Sequence, residues 1–289
     1  MLAKFLNPKN DLAFKRIFGS ERNKDILIHF LNDIFSFTTN PIETVTFLKS
    51  NQEPEIAAQR MSIVDVLCTD SAGDHFIVEM QIDKEPSFAK RAQYYAAKTY
   101  IEQREKGIKY QDLKQVTFLA ITDFVLFPGK KTYLCHHAML DRETREHDLK
   151  DFSFSFLELP KFKKKKGELK TPTEKWAYFF KKAEDTLVED LPLIVGSDNI
   201  IQKAFEELDR YSWSAEELRA YNEVDMKKEA NKAVLEGAKA EGRIEGETEK
   251  AKNIAINLLK RNISTNDVAE FGCPYISGEK LPRLSLNLI

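Results

Sequence analysis

Two runs of sequence decide the fold of this chain: Met61-Ser-Ile-Val-Asp-Val-Leu-Cys68 and His75-Phe-Ile-Val-Glu-Met-Gln-Ile-Asp83. Both are rich in residues typical of β-strands, and the turn-rich stretch between them indicates a hairpin loop. In the second run Glu79 and Gln81 alternate with apolar residues, so they share one face of the strand. If the runs pair antiparallel, Asp65 lies across from the Glu79–Gln81 edge.

These three side chains supply two carboxylates and one amide oxygen, a set of hard ligands suited to Mg²⁺ or to a related cation such as Mn²⁺ or Ca²⁺. A single acid in a strand is usually solvated on an outer face. The run around Asp65 is apolar on both sides, which is typical of a strand buried on both faces. An acid in such a strand needs a partner, and a metal ion is one way to supply it.

Composition narrows the class of protein. The chain has 289 residues, 42% of them hydrophobic, which is enough for one full core and a smaller second unit. No apolar run approaches the length of a membrane span, so we expect no membrane partner. The three cysteines are an odd number and widely spaced, which argues against a disulfide framework or a zinc cluster and favours a cytoplasmic location.

The net charge of −2 does not by itself indicate a nucleic-acid partner. Attraction for phosphate would have to come from local patches, and the clearest is Lys161-Phe-Lys-Lys-Lys-Lys166. The alternative interpretation of that run is a solvated, charged linker.

The order of predicted elements is helix, three strands, helix, strand. An amphipathic pattern predicts a helix over 11–35, with a break or kink at Gly19-Ser20. The remaining predicted elements are strands at 42–50, 61–68, 75–83, 116–122, 132–135 and 152–157, and a helix from Pro86 to Arg104. This order predicts an α/β fold in which helices flank a mixed sheet.

The composition changes after residue 160. We expect a domain over 1–160, a Lys-rich linker over 161–172 and an α-helical C-terminal region over 173–289. The segment from Ala215 to Arg261 is dense in Ala, Glu and Lys and carries three glycines, which lower its helix propensity. It is therefore expected to be a marginal or partner-dependent helix. A homodimer through the C-terminal helices is one possible assembly, although the apolar seam is thin.

Several segments also resemble a known family. Asn7-Pro-Lys-Asn-Asp-Leu-Ala-Phe-Lys-Arg-Ile-Phe-Gly19 is similar to the opening helix of the Rpn family of recombination-promoting nucleases, which are also described as transposases. Asp65 with Glu79-Met-Gln81 matches the D…E-x-Q core of that family, and 87–98 resembles its next helix. The resemblance covers roughly 4–160, and the glycine-punctuated helix at 229–250 also looks like this family.

The Rpn family belongs to the PD-(D/E)XK nuclease superfamily, so the resemblance implies a restriction-endonuclease-like αβββαβ core and cleavage of DNA. Asp65 and Glu79 would hold Mg²⁺, the resemblance implies the backbone carbonyl of Met80 as a third ligand, and Gln81 would orient the attacking water. Most of the superfamily carries Lys at the position of Gln81. An amide supplies no positive charge, although it can still orient water.

Three further residues are candidates for the same site. Arg91 and Lys98 lie seven residues apart on one helix face and could meet a phosphate, or could simply be exposed. Asp11 could extend the acidic cluster, or it could stabilise the start of the first helix through the helix dipole.

Two function classes remain open. The first is a Mg²⁺-dependent DNA endonuclease associated with recombination or mobile elements. The second is a DNA-binding or scaffolding protein that kept the fold and lost the reaction. The presence of Asp65, Glu79 and Gln81 together favours the first.

Overall fold

The computed structural model describes residues 3–37, 40–48, 64–264 and 267–268. Parts of two predicted strands, 49–50 and 61–63, lie outside the described residues.

The chain begins with two helices where the sequence predicts one interrupted helix. Helix α1 spans Asp11–Phe18 and α2 spans Lys24–Phe35. The Asn10 side chain accepts hydrogen bonds from two backbone N–H groups at the start of α1, which satisfies donors that have no partner within the helix. The helices separate after Gly19-Ser20, where the break was predicted, and a short 3-10 turn connects them.

Six strands and one long helix follow within the described residues. They are β1 (Val45–Phe47), β2 (Val66–Asp70), β3 (His75–Gln81), α3 (Phe88–Glu105), β4 (Val116–Thr122), β5 (Leu134–Ala138) and β6 (Phe152–Glu158). They form one mixed sheet in the order β1-β2-β3-β4-β6-β5. The pairs β3–β4 and β4–β6 are parallel and the others antiparallel. The predicted αβββαβ order and mixed sheet are therefore confirmed.

The sheet is covered on both faces, and β3 shows how the faces divide. Phe76, Val78 and Met80 pack in the core that contains α1 and α2. Ile77 packs instead in a second core with Phe88 and other residues of α3. Because side chains alternate along a strand, Glu79 and Gln81 fall on the α3 side.

More helices complete the first core: α4 (Pro172–Lys182), α5 (Leu191–Val195) and α6 (Asn199–Glu207). An aromatic cluster joins α4 to the opening helices. The ring centroid of Phe30 lies 5.1 Å from that of Phe18, 5.2 Å from that of Trp176 and 5.4 Å from that of Phe180. The apolar faces of α1 and α2 are thus buried by residues that follow the Lys-rich segment.

The Lys-rich segment is itself packed. Phe162 is buried in the first core. Three of its ammonium groups lie against carboxylates: Lys161 at 2.6 Å from Glu158, Lys164 at 2.5 Å from Glu174 and Lys166 at 2.5 Å from Asp190. These lysines are therefore engaged within the protein, which weakens the interpretation of the run as a phosphate-binding patch.

The first residues of the chain pair with residues more than two hundred positions later. The N–H of Leu6 donates to the carbonyl of Leu208, and that of Arg210 donates to the carbonyl of Lys4, both at 2.9 Å. The N–H of Asn7 donates to the hydroxyl of Tyr221 at 3.0 Å. The described residues up to Val224 pack together as one compact unit.

Helix α7 (Ala215–Lys260) runs past the end of that unit, and the residues from Asp225 onward form a second unit. The predicted division into 1–160, 161–172 and 173–289 stays a prediction. Across the described residues, no helix is both long and apolar enough to cross a membrane.

Shortened chains test where the folding unit ends. A chain of residues 1–224 should unfold cooperatively, because it keeps the whole first core. A chain of residues 1–160 should not, because it exposes the faces of Phe18 and Phe30 that Trp176 and Phe180 cover. Burial of each such side chain stabilises a fold by roughly 1.5–3 kcal/mol. Thermal unfolding followed by near-UV circular dichroism measures both; a cooperative transition of the 1–160 chain would support the predicted boundary instead.

Candidate active site

Asp65 is the residue immediately before β2, the strand that pairs with β3. The register of the two antiparallel strands pairs Val66 with Val78. Asp65 Oδ2 accepts a hydrogen bond from the N–H of Met80 at 2.9 Å. Its other carboxylate oxygen lies 3.9 Å from the Nζ atom of Lys15 on α1. The structure therefore brings Asp65 beside the Glu79–Gln81 edge.

Glu79 is the buried acid of the group. It is only 6% exposed. Its Oε1 atom accepts a hydrogen bond from Arg91 at 2.8 Å, whereas its buried Oε2 atom has no hydrogen-bond partner among the described residues. Burial raises the pKa of this carboxyl to about 7, and the negative charges of Asp65 and Glu85 act in the same direction, while Arg91 opposes them.

Gln81 is held by hydrogen bonds at both ends of its amide. Its Oε1 atom accepts from Arg91 at 2.7 Å, and its Nε2 atom donates to the backbone carbonyl of Asp83 at 3.0 Å. Because both groups of the amide are engaged, the side chain has a defined orientation next to Glu79.

Arg91 connects these residues from the facing helix α3. One guanidinium nitrogen, Nη2, serves both Glu79 and Gln81, and the other, Nη1, pairs with Glu85. The guanidinium also lies over the ring of Phe88, 5.0 Å from its centroid. Its Nε atom is buried and has no hydrogen-bond partner in the described part of the chain. Arg91 therefore supplies the positive charge beside Glu79.

The two other predicted residues lie differently. Lys98 is half-buried two turns further along α3, and the hydrogen bonds described around Arg91 do not include it. Asp11 is exposed in the first turn of α1, a position where an acid favours the helix dipole. Their roles at phosphate and at the metal stay predictions.

The donor set fits a divalent cation. Asp65 and Glu79 approach each other closely enough for Asp65 to raise the pKa of Glu79, and two like charges in that position favour binding of a cation. The unpartnered, buried Oε2 atom of Glu79 is the specific observation, because buried polar atoms are normally satisfied. The N–H of Met80 is engaged by Asp65, and the role of its carbonyl as a ligand stays a prediction.

Comparison with known proteins identifies the family. A family model described as a PD-(D/E)XK nuclease family transposase matches residues 8–238. The chain belongs to this family. No curated protein and no solved structure gives a significant match. Membership supports a nuclease- or transposase-related role for the chain, and PD-(D/E)XK nucleases typically use divalent metals.

A second group of possible metal ligands lies elsewhere in this PD-(D/E)XK family member. One ligand atom each from His29, Asp33 and Asp198 lies within 4.8 Å of the others. Their oxygens already have donors: Asp33 Oδ2 accepts from the indole of Trp176 at 2.8 Å, and Asp198 caps α6. The hydrogen bond to Asp33 raises the pKa of His29. We therefore interpret this group as an ion-pair link between helices.

Sequence reasoning missed two charged neighbours of the site. Lys15 approaches Asp65 from α1, and Glu85 pairs with Arg91 from the loop before α3. Glu85 lies six residues before Arg91, and a charge-pair search along the chain could have found it. No local pattern connects Lys15 with Asp65, because that contact exists only once α1 packs on the sheet.

The raised pKa of Glu79 has a consequence for folding stability. A carboxyl whose pKa rises from 4.5 to about 7 in the folded protein binds its proton more tightly when folded. The metal-free protein should therefore lose stability as pH rises from 4.5 to 7, by roughly 1–3 kcal/mol. Glu79→Gln should remove this loss, so that the variant exceeds wild type in unfolding free energy at pH 8 and matches it near pH 5. Urea unfolding in EDTA at both pH values measures the difference, and an equal difference at both would refute the shift.

Proposed function

We propose that this protein is a metal-dependent DNA endonuclease that hydrolyses phosphodiester bonds, with Mg²⁺ as the cation. The observation that carries the proposal is Glu79, a buried carboxylate with one unpartnered oxygen beside a second carboxylate, Asp65. Asp65 has Lys15 and the N–H of Met80 as partners, whereas the Oε2 atom of Glu79 has no partner among the described residues.

Asp65, Glu79 and the carbonyl of Met80 would hold the cation. The bound cation would supply charge that polarises the scissile phosphate and activates water. Glu79 must be ionised to act as a ligand, and its raised pKa means that ionisation is complete only above neutral pH.

Gln81 and Arg91 would act on the substrate. Gln81 presents an amide in a defined orientation, which can position the attacking water. Arg91 carries the positive charge that an amide at position 81 cannot provide, and its Nε–H is a donor with no acceptor among the described residues. A guanidinium there suits a phosphate oxygen or the charge that develops during hydrolysis. Lys98 would contact the phosphate backbone further along α3, and Asp11 would act as an accessory acid.

The setting of this activity is DNA recombination or mobile-element biology, in keeping with the family description as a transposase. We expect the protein to act in the cytoplasm, where the buried thiols of Cys68 and Cys135 would stay reduced.

One observation favours the alternative of an inactive DNA-binding or scaffolding protein. Arg91 already occupies Glu79 Oε1 and Gln81 Oε1, so a cation competes with an existing ion pair. If the cation cannot displace Arg91 from Glu79, the protein would keep the nuclease fold and catalyse no hydrolysis.

Plasmid nicking separates the two functions. The wild-type protein should nick supercoiled DNA in Mg²⁺ and not in EDTA. Asp65→Ala and Glu79→Gln should each lower the rate at least about 100-fold, because each removes a ligand charge. Asp148→Asn is the matched control, because Asp148 is an exposed acid outside the contacts described for the site, and its change should leave the rate unchanged. Wild-type rates in Asp65→Ala would overturn the assignment, and DNA binding without any nicking would support the scaffold.

Gln81 provides a second test of the mechanism. Gln81→Ala should lose most of the nicking rate, at least about tenfold, because the water-orienting amide is gone. Gln81→Lys should retain more activity than Gln81→Ala, since an ammonium can stabilise developing charge at the phosphate. Initial rates at saturating Mg²⁺ make the comparison. If Gln81→Ala nicks as fast as wild type, Gln81 is only a strand residue and the carboxylates suffice.

A further inference from the structure

In the second unit, α7 carries several exposed apolar side chains, although Ala255 near its end is buried. In the part of α7 that follows Asp225, exposed apolar side chains include Met226, Ile244 and Ile254, which are 65%, 56% and 50% exposed. Isolated helices are marginal in water and gain most of their stability from packing. Packing of its exposed apolar residues against a partner surface would therefore stabilise α7.

Met226, Ile244 and Ile254 fall on one seam, whereas the exposed residues Val234 and Leu235 lie off it. Positions spaced alternately by four and three residues form a single stripe along a helix that packs against another helix. On α7 these positions are Met226, Ala230, Ala233, Gly237, Ala240, Ile244, Glu247, Ala251, Ile254 and Leu258. All but Glu247 are apolar or small, so this stripe, the α7 seam, can pack closely against a second helix.

Gly242 and Gly246 lie off the seam, whereas Gly237 lies on it. A methyl group added there would meet no atom within 4 Å, so nothing in the described chain requires the glycine. Glycine in a helix costs about 1 kcal/mol relative to alanine. A close approach by another backbone is a physical reason for glycine at a seam position.

We propose that the α7 seam binds the α7 seam of a second copy of this chain in antiparallel orientation. The argument is charge complementarity. The residues that flank the seam on one side are Glu229, Glu236, Arg243 and Lys250, acidic in the first half and basic in the second. In an antiparallel pair whose seam layers are centred between Ala238 and Lys239, residues of this flank lie beside residues of the same flank in the second copy. Glu229 then faces Lys250 of the second copy, and Glu236 faces Arg243 of the second copy.

The core layers agree with the same register. Ala233 lies opposite Ile244 of the second copy, Met226 opposite Ala251, and Gly237 opposite Ala240. Met226 and Ile244 thus each meet a small residue, as interdigitated packing requires, while the remaining layer places Ala230 opposite Glu247. A parallel pair would instead place Glu236 near Glu241 of the second copy and would form no opposite-charge pair along this flank. The pattern therefore complements itself only in the antiparallel direction.

Charge reversal in the full-length chain tests the orientation. Analytical ultracentrifugation should show a wild-type dimer. Glu229→Lys/Glu236→Lys should weaken it at least about tenfold, and so should Arg243→Glu/Lys250→Glu, because every attractive flank pair becomes repulsive. Mixing the two variants should restore a heterodimer, and combining all four changes in one chain should restore the homodimer. A parallel pair predicts the opposite for Glu236→Lys, which would relieve a repulsion and tighten association.

A matched pair of substitutions tests the seam. Ile244 on the seam and Leu235 off the seam are both exposed large aliphatic residues, at 56% and 69%. Ile244→Asp should abolish the dimer, whereas Leu235→Asp should leave it unchanged. The fluorescence of buried Trp176 reports that the first unit stays folded in both. A wild-type chain that is monomeric at about 100 µM, a concentration that would populate a dimer with a Kd of about 100 µM or lower, would overturn the proposal, and so would equal effects of the two substitutions.

Discussion

The burial of Glu79 beneath α3 is the constraint on which the site depends. A carboxylate removed from water is costly unless a charge partner and hydrogen bonds compensate it. Arg91 supplies both, and α3 must lie close to the sheet for the guanidinium to reach. The small side chains of Ala92 and Ala96, fully buried against the sheet, permit that approach. The guanidinium also packs on the ring of Phe88. The packing of one helix is thus coupled to the charge of one strand residue.

Arg91 satisfies only one of the two oxygens of Glu79. The other remains buried without a partner among the described residues, next to a carboxylate of Asp65 that raises the pKa of Glu79. In the absence of a cation, Glu79 binds a proton more tightly, which removes the buried negative charge. A proton and a metal ion therefore compete for the same group, which makes the acid sensitive to its surroundings in a way that a solvated acid is not.

The fold and the acidic site could be predicted from local patterns, because period-two alternation in β3 places Glu79 and Gln81 together and the hairpin brings Asp65 beside them. The central role of Arg91 could not, since spacing shows that it shares a helix face with Lys98 but not which strand residue it meets. The Lys-rich segment illustrates the same limit: composition indicates local polarity, whereas Phe162 is buried by helices far along the chain. The boundary predicted there rests on composition alone.

The pairing of the first residues with the segment around Leu208 and Tyr221 limits how early the first unit can fold during synthesis. Residues 4–7 leave the ribosome first, yet the residues that pair with them are made more than two hundred positions later. At 5–20 residues per second, roughly 10–45 s pass before Tyr221 is available. During that interval the N–H groups of Leu6 and Asn7 lack their native acceptors, Leu208 and Tyr221. The first unit can therefore close only after Tyr221 has been made, although the strands of its sheet are complete by Glu158.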